Sequence, residues 1–181
     1  MKIKTQSPRI QAQVIPLEGT ATRGEITFTY PERHNILDLE AWQTLPQVMA
    51  DMAQVKDMRL ITLRGSGDKS FVAGADITQF DSAFSGEAAG DYEQATSEAF
   101  AAIADCPVPT LAAITGYCIG GGLAIAAACD LRLAREDSTF SIPAARLGLA
   151  YPPNATTRLR EIVGAAQAKY ILFTAARFDC A

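Results

Sequence analysis

Gly120-Gly121-Gly122-Leu123-Ala124-Ile125-Ala126-Ala127-Ala128-Cys129 follows the apolar, strand-like run from Thr110 to Thr115. Beyond the glycines every residue of the stretch is apolar, which predicts a buried helix over Gly121 to Cys129. Glycine lets a ligand approach the backbone closely. The first N–H groups of a helix have no partner inside it, and the dipole there favours negative charge. A glycine triplet at a buried helix start therefore suits an anion, or a carbonyl oxygen gaining charge. Tight packing of a helix on a sheet asks for the same glycines, so the triplet alone leaves both readings open.

A second segment repeats the pattern. Ser70-Phe71-Val72-Ala73-Gly74-Ala75-Asp76-Ile77 follows the apolar run Leu60-Ile61-Thr62-Leu63 and the turn Gly65-Ser66-Gly67-Asp68. From Leu60 on, the order is again strand, loop, small residues, then a helix start at Asp76. Two such segments can supply two converging backbone N–H donors.

Together the two segments resemble the enoyl-CoA hydratase/isomerase family, the crotonases. One family signature is similar to Lys69 through Ile77. The other is similar to Ala113-Ile114-Thr115-Gly116-Tyr117-Cys118-Ile119-Gly120-Gly121-Gly122, with Cys129-Asp130 after it. Upstream, Tyr30-Pro31-Glu32-Arg33-His34-Asn35-Ile36-Leu37-Asp38 is similar to the family's early Pro-x-x-x-Asn-Ala-Leu turn. The resemblance runs in order from about Gly24 to the last residue.

The remaining sequence is compatible with this. The chain has 181 residues, 49% of them hydrophobic, enough for one domain with a real core. Its net charge of −4 offers no nucleic-acid footprint. No apolar run reaches the length of a membrane span. The start, Met1-Lys2-Ile3-Lys4-Thr5-Gln6, lacks the apolar stretch of a signal peptide. Cys106, Cys118, Cys129 and Cys180 form no C-x-x-C pair, and the one histidine, His34, excludes a His-rich metal site. The expected location is cytoplasmic, with no metal and no membrane or nucleic-acid partner.

Alternation predicts strands over Ile10 to Ile15 and Glu25 to Tyr30, and further strands over Arg59 to Arg64, Thr110 to Thr115, Leu131 to Ala134 and Thr139 to Ile142. Asp38 is expected to cap a helix towards Val55, kinked or starting late because of Pro46. Gly86 to Gly90 reads as a loop, with Asp91 capping a helix through Ala104. Pro153 to Val163 and Ala165 to Thr174 read as two more helices. Strands alternating with helices argue for an α/β class with a largely parallel sheet. The resemblance sharpens this to a crotonase-like spiral of ββα units, with residues 1–181 as the core domain. It also implies that the C-terminal helices and trimer contacts the family builds beyond a segment like Phe173 to Ala181 are absent from this chain.

The resemblance implies an acyl-CoA substrate, with coenzyme A as part of the substrate and no bound cofactor, and a homo-trimer or hexamer. It implies that the N–H groups of Ala75 and Gly121 form an oxyanion hole for the thioester carbonyl. It further implies that Ala73, Ala75, Asp76, Ile77, Gly120 and Gly121 lie against the CoA thioester, although a plain N-cap is an equal reading of Asp76.

The chain departs from the family in its side chains. Hydratases of the family place a glutamate three residues after the middle glycine, where this chain has Ala124. A second follows a proline just after the next strand, where it has Ala144. Some relatives carry a third acid eight residues later, where it has Pro152. Alanine and proline transfer no proton, and general acid–base catalysis contributes about 10²–10⁴-fold. Tyr151, beside the third position, is a candidate proton donor or a pocket-wall aromatic. Arg146 can face an anion or the solvent. Asn154 is expected to cap or precede the helix before Arg158. Ser66 and Ser70 are expected to lack a partner base, and there is no G-x-S-x-G elbow. A CoA-thioester-binding protein with little catalysis, or a non-hydratase reaction, is the competing reading. A dinucleotide site at Gly65-x-Gly67-x-x-Ser70 lacks its third glycine.

Overall fold

Ile10, Ile26, Phe28, Ile61 and Leu63 are fully buried and alternate with polar neighbours along three strands, giving a sheet with one face in the core. The computed structural model describes residues 1–76 and 87–180. The main sheet has six strands in the order β1-β2-β3-β4-β6-β8. These are β1 (Lys2–Ile3), β2 (Ile10–Pro16), β3 (Thr22–Phe28), β4 (Met58–Gly65), β6 (Thr110–Ile114) and β8 (Leu131–Ala134). The β1/β2 and β2/β3 pairs are antiparallel, and the others are parallel.

A second, three-stranded parallel sheet, β5-β7-β9, is made of β5 (Ser70–Val72), β7 (Tyr117–Ile119) and β9 (Thr139–Ser141). Residues Tyr117 and Cys118 of β7 pair with β5 on one side and β9 on the other. The strands β5 and β7 run directly into Ala73-Gly74-Ala75 and Gly120-Gly121, so this small sheet sets the two glycine loops side by side.

Four helices are described. Helix α1 (Leu39–Ala53) is capped by Asp38, whose carboxylate accepts the Ala41 N–H at 2.9 Å. It starts at Leu39 and runs through Pro46, so of the two expected effects of that proline, a kink or a late start, the late start does not occur. Its buried stripe, Trp42, Leu45, Val48, Met49 and Met52, outweighs the single backbone bond that proline removes. Helix α2 (Glu87–Ala104) begins before the expected cap at Asp91. Glu87, Ala88 and Ala89 are good helix formers, and Gly90 costs only about 1 kcal/mol inside a helix. Helix α3 (Gly121–Ala128) is buried from Gly122 onwards.

Helix α4 (Pro153–Thr174) contains a non-helical Gly164, φ 77° and ψ 164°, so it consists of the two helical pieces the sequence predicts. Asn154 lies inside its first turn and not before it, the cap position being taken by Pro152. The Asn154 side chain donates to the Ser97 carbonyl and hydroxyl at 3.0 Å, tying α4 to α2. The helix expected to start at Asp76 falls outside the described residues, and so does Ile77. Among the described residues no helix is long and apolar enough to cross a membrane.

Candidate functional site

Gly120 adopts φ 55° and ψ −117°, a backbone conformation open essentially to glycine alone. It turns the chain from β7 into α3 with its own N–H donated to the Ser141 carbonyl at 2.8 Å. Two residues on, a side chain at Gly122 would collide with the Val72 carbonyl, so β5 and α3 touch through bare backbone. That contact brings the two glycine loops together. A Cβ built at Gly74 would lie 3.6 Å from the Gly121 nitrogen. The packing reading of the triplet thus holds: it seats a helix on a sheet, with Gly121 at the first helical position.

The first loop is held by the early turn. A parallel bridge pairs Leu37 with Ala75, in which Leu37 donates to the Gly74 carbonyl and Asp76 donates to the Leu37 carbonyl, both at 2.9 Å. Ala73 donates to His34 at 3.0 Å. This alternation turns the N–H of Ala75 away from the bridge. Among the described residues, neither that N–H nor the one of Gly121 has a hydrogen-bond acceptor. Asn35 braces the turn by donating to the Ser66 and Ser70 carbonyls at 3.0 and 2.9 Å.

Ala75 and Gly121 line one cavity of about 470 Å³. Ala73, Gly74 and Gly120 complete its backbone-lined floor, and Ala144, Tyr151 and Pro152 lie on one wall. Of the positions where the resemblance expects acids, Ala144 and Pro152 line the cavity. Ala124 is one turn into α3 and only 3% exposed. Its place above Gly120 and Gly121 on the same helix face would aim a longer side chain over the floor.

Sequence reasoning missed the opposite wall. Trp42 of α1 and Tyr92, Glu93, Thr96 and Phe100 of α2 all line the cavity. Trp42 Nε1 donates to the Tyr92 hydroxyl at 2.8 Å, and its ring meets Phe100 edge-on at 5.5 Å. Burial pushes the Tyr92 hydroxyl well above the ordinary tyrosine range. The spacing of Tyr92, Thr96 and Phe100 at successive fourth positions marks a helix face, and was the available signal. Glu93 supplies the one carboxylate among the described lining residues.

Asp76 is not a lining residue. Its carboxylate, 6% exposed, receives Arg9 at 3.2 Å and lies 3.9 Å from Arg33. The same Arg9 contacts Asp38 at 2.9 Å, so one guanidinium joins the cap of α1 to the residue after Ala75. Tyr151 donates its hydroxyl proton to the Gly120 carbonyl at 3.0 Å, and burial pushes its pKa far above the ordinary range. Arg146 lies in the 3-10 turn Pro143–Leu147 with its side chain at the surface. Ser70 does have a basic neighbour, contrary to expectation. His34 Nδ1 lies 2.7 Å from its hydroxyl, because the left-handed conformation of His34 turns the ring back onto β5. Ser70 is 1% exposed, so this pair braces the turn away from the cavity.

The enoyl-CoA hydratase/isomerase family model matches residues 18–181. Enoyl-CoA hydratase domain-containing protein 2, mitochondrial, of Mus musculus is 32% identical over 97% of this chain and 58% of its own length. A short-chain-enoyl-CoA hydratase of Clostridium acetobutylicum is 31% identical over 88% of this chain and 60% of its own length. The chain therefore spans about 60% of these relatives. An enoyl-CoA hydratase/isomerase family protein from Hyphomonas neptunium superposes with a TM-score of 0.88 at 35% identity, over 98% of this chain and 66% of that one. An enoyl-CoA hydratase/carnithine racemase from Magnetospirillum magneticum gives 0.88 at 29% identity, over 97% and 64%. With the glycine loops, the paired sheets and the shared cavity in place, the match identifies the chain as a member of the enoyl-CoA hydratase/isomerase family, with a crotonase fold.

Proposed function

We propose that this chain acts on an acyl-CoA thioester, receiving its carbonyl oxygen between the N–H groups of Ala75 and Gly121. The reading is supported by two residues, Ala75 and Gly121, that line the same largely apolar cavity and whose N–H groups have no acceptor among the described residues. Donors fixed before the ligand arrives need no reorganisation as enolate charge develops, and losing one typically costs about 10²–10³ in rate. The backbone of Ala73 and Gly120 is assigned to the thioester side of the ligand, and Asp76, which does not line the cavity, to holding the loop. Coenzyme A enters as part of the substrate, and the protein works in the cytoplasm as a trimer or pair of trimers.

A second reading is favoured by one observation: Ala144 and Pro152 line the cavity where a proton-transferring acid would stand. On that reading the chain holds or polarises CoA thioesters with little hydration, or carries out an isomerisation or hydrolysis that uses another proton carrier. A panel of CoA thioesters incubated with the protein and followed by mass spectrometry tests both. Product from enoyl-CoA supports the enzyme, and tight binding without product supports the second reading. Absence of any acyl-CoA binding in a calorimetric titration, with NAD as the control, overturns both.

A further inference from the structure

The Gly120 carbonyl and the Gly121 N–H belong to one peptide group, and a peptide group is rigid and planar. Whatever holds the carbonyl also aims the N–H. Two donors reach this oxygen: the Ala124 N–H at 3.1 Å, which is the first bond of α3, and the Tyr151 hydroxyl at 3.0 Å. We infer that Tyr151 is a positioning residue, whose O–H fixes the plane of the Gly120–Gly121 peptide and strengthens the Gly121 N–H as a donor to a bound carbonyl oxygen. The inference rests on the reading of Gly121 given above.

Three features carry it. First, a peptide between two glycines has the least steric resistance to rotation. Rotated by half a turn, it would present its carbonyl to the cavity and repel a carbonyl ligand. The Tyr151 bond opposes that rotation from outside the helix. Second, Tyr151 is held in place. It follows the 3-10 turn ending at Gly148 and precedes Pro152-Pro153, whose rings restrict the backbone. Third, accepting a hydrogen bond polarises a peptide and makes its N–H the better donor, by about 10–30% per bond in condensed-phase estimates.

The companion peptide offers a built-in comparison. The Gly74 carbonyl, bonded to the Ala75 nitrogen, is anchored by the Leu37 N–H at 2.9 Å. That anchor is main chain and no substitution short of proline removes it. The anchor on the Gly120 side is a side chain, so one of the two donors can be loosened selectively. Burial keeps the Tyr151 phenol protonated far into the alkaline range, so it remains a donor at every working pH.

The test uses an acyl-CoA labelled with ¹³C at the thioester carbonyl and infrared difference spectroscopy on the protein, Tyr151→Phe, and protein carrying 3-fluorotyrosine at 151. Bound to the native protein, the carbonyl stretch is expected to fall below its value in water. In Tyr151→Phe, part of that fall is lost and Kd rises by about 3- to 10-fold, the size of one net hydrogen bond. In the fluorotyrosine protein, whose phenol is the stronger donor with nearly the same shape, the stretch falls further. An equal stretch in all three proteins overturns the role of Tyr151 while leaving the Gly121 reading intact. A native carbonyl stretch no lower than in water overturns the Gly121 reading itself. If Tyr151→Phe fails to fold, the fluorotyrosine protein decides alone, and an unchanged stretch in it counts against the inference.

Discussion

The indole of Trp42 lies directly against Gly121. A Cβ built on Gly121 would sit 3.0 Å from the Cζ2 and Cη2 atoms of that ring. Trp42 is 1% exposed and its Nε1 is committed to the Tyr92 hydroxyl. The ring therefore has little room to withdraw, and the position of the Gly121 N–H is coupled to a helix, α1, that contributes no polar group to the cavity floor.

Gly121→Ala is accordingly expected to destabilise the protein by about 1–3 kcal/mol, the usual size of overpacking in a closed core. It should weaken acyl-CoA binding as well. Thermal melts and a binding titration check this. Adding Trp42→Phe, which shortens the ring, should recover part of both losses. A Gly121→Ala protein that melts and binds like the native one would contradict the coupling.

Arg9→Met removes the cation shared by Asp38 and Asp76. The Asp76 carboxylate is largely buried, and Arg33 approaches it only at 3.9 Å. Deleting one partner of a fully buried ion pair typically costs about 3–5 kcal/mol. Because Arg9 keeps some solvent contact and Asp76 has further partners, a smaller loss of about 1–3 kcal/mol in urea unfolding is expected. Since Asp76 adjoins Ala75, acyl-CoA affinity should fall too, even under conditions where the variant is fully folded.

Hydration of crotonyl-CoA by the native protein is expected to run about 10²–10⁴-fold below that of a relative with both glutamates. Ala124→Glu combined with Ala144→Glu should raise it more than either change alone, because water and two proton transfers must be handled together. Either carboxyl would have its pKa raised by the apolar walls. Any turnover the native protein shows should depend on Glu93, and Glu93→Gln should reduce it at least tenfold. Steady-state rates on the four variants measure all of this.

Asp130 sets a pH dependence at the other end of α3. Partial burial pushes its carboxyl upward. Hydrogen bonds from the Thr110 N–H and hydroxyl, both at 2.8 Å, and the Arg158 charge outweigh this and hold it below the ordinary 3.8. A pKa lower when folded than when unfolded means the stabilisation is complete above about 4 and is lost as pH falls through the folded value. Asp130→Asn should therefore lower Tm at pH 7. The gap to the native protein should close below pH 4 in a series of calorimetric scans.

Cys129 is pushed up to about 12 by burial at the end of α3, and Cys118 is fully buried beside the site. Neither presents a thiolate at pH 8. Brief alkylation followed by mass spectrometry should label the exposed Cys180 first and leave Cys118 and Cys129 unlabelled until the protein is denatured.

Elements with local signals were legible in the sequence. Asp38 announced α1, the glycine triplet announced α3, and Gly164 announced the break in α4. The three-residue strands β5 and β7 were not legible as strands, because three residues show no periodicity and their pairing is entirely non-local. The start of α2 was misplaced because a glycine and an aspartate outweighed the helix formers before them. In the site, Ala75 and Gly121 were visible as motif positions. Helical spacing put Trp42 on a buried face without telling which buried face borders a cavity. The bond from Tyr151 to Gly120 joins residues 31 apart, and no local pattern encodes it.

Since the proposed donors are main-chain groups, alanine scanning is blind to them. Ala75 is already alanine, and Gly121 altered to alanine keeps its N–H and changes only its surroundings. Proline is the one genetically encoded residue that deletes such a donor outright. Natural variation can therefore rewrite the cavity walls, as at Ala144 and Pro152, while the pair of N–H groups passes unchanged through almost every codon.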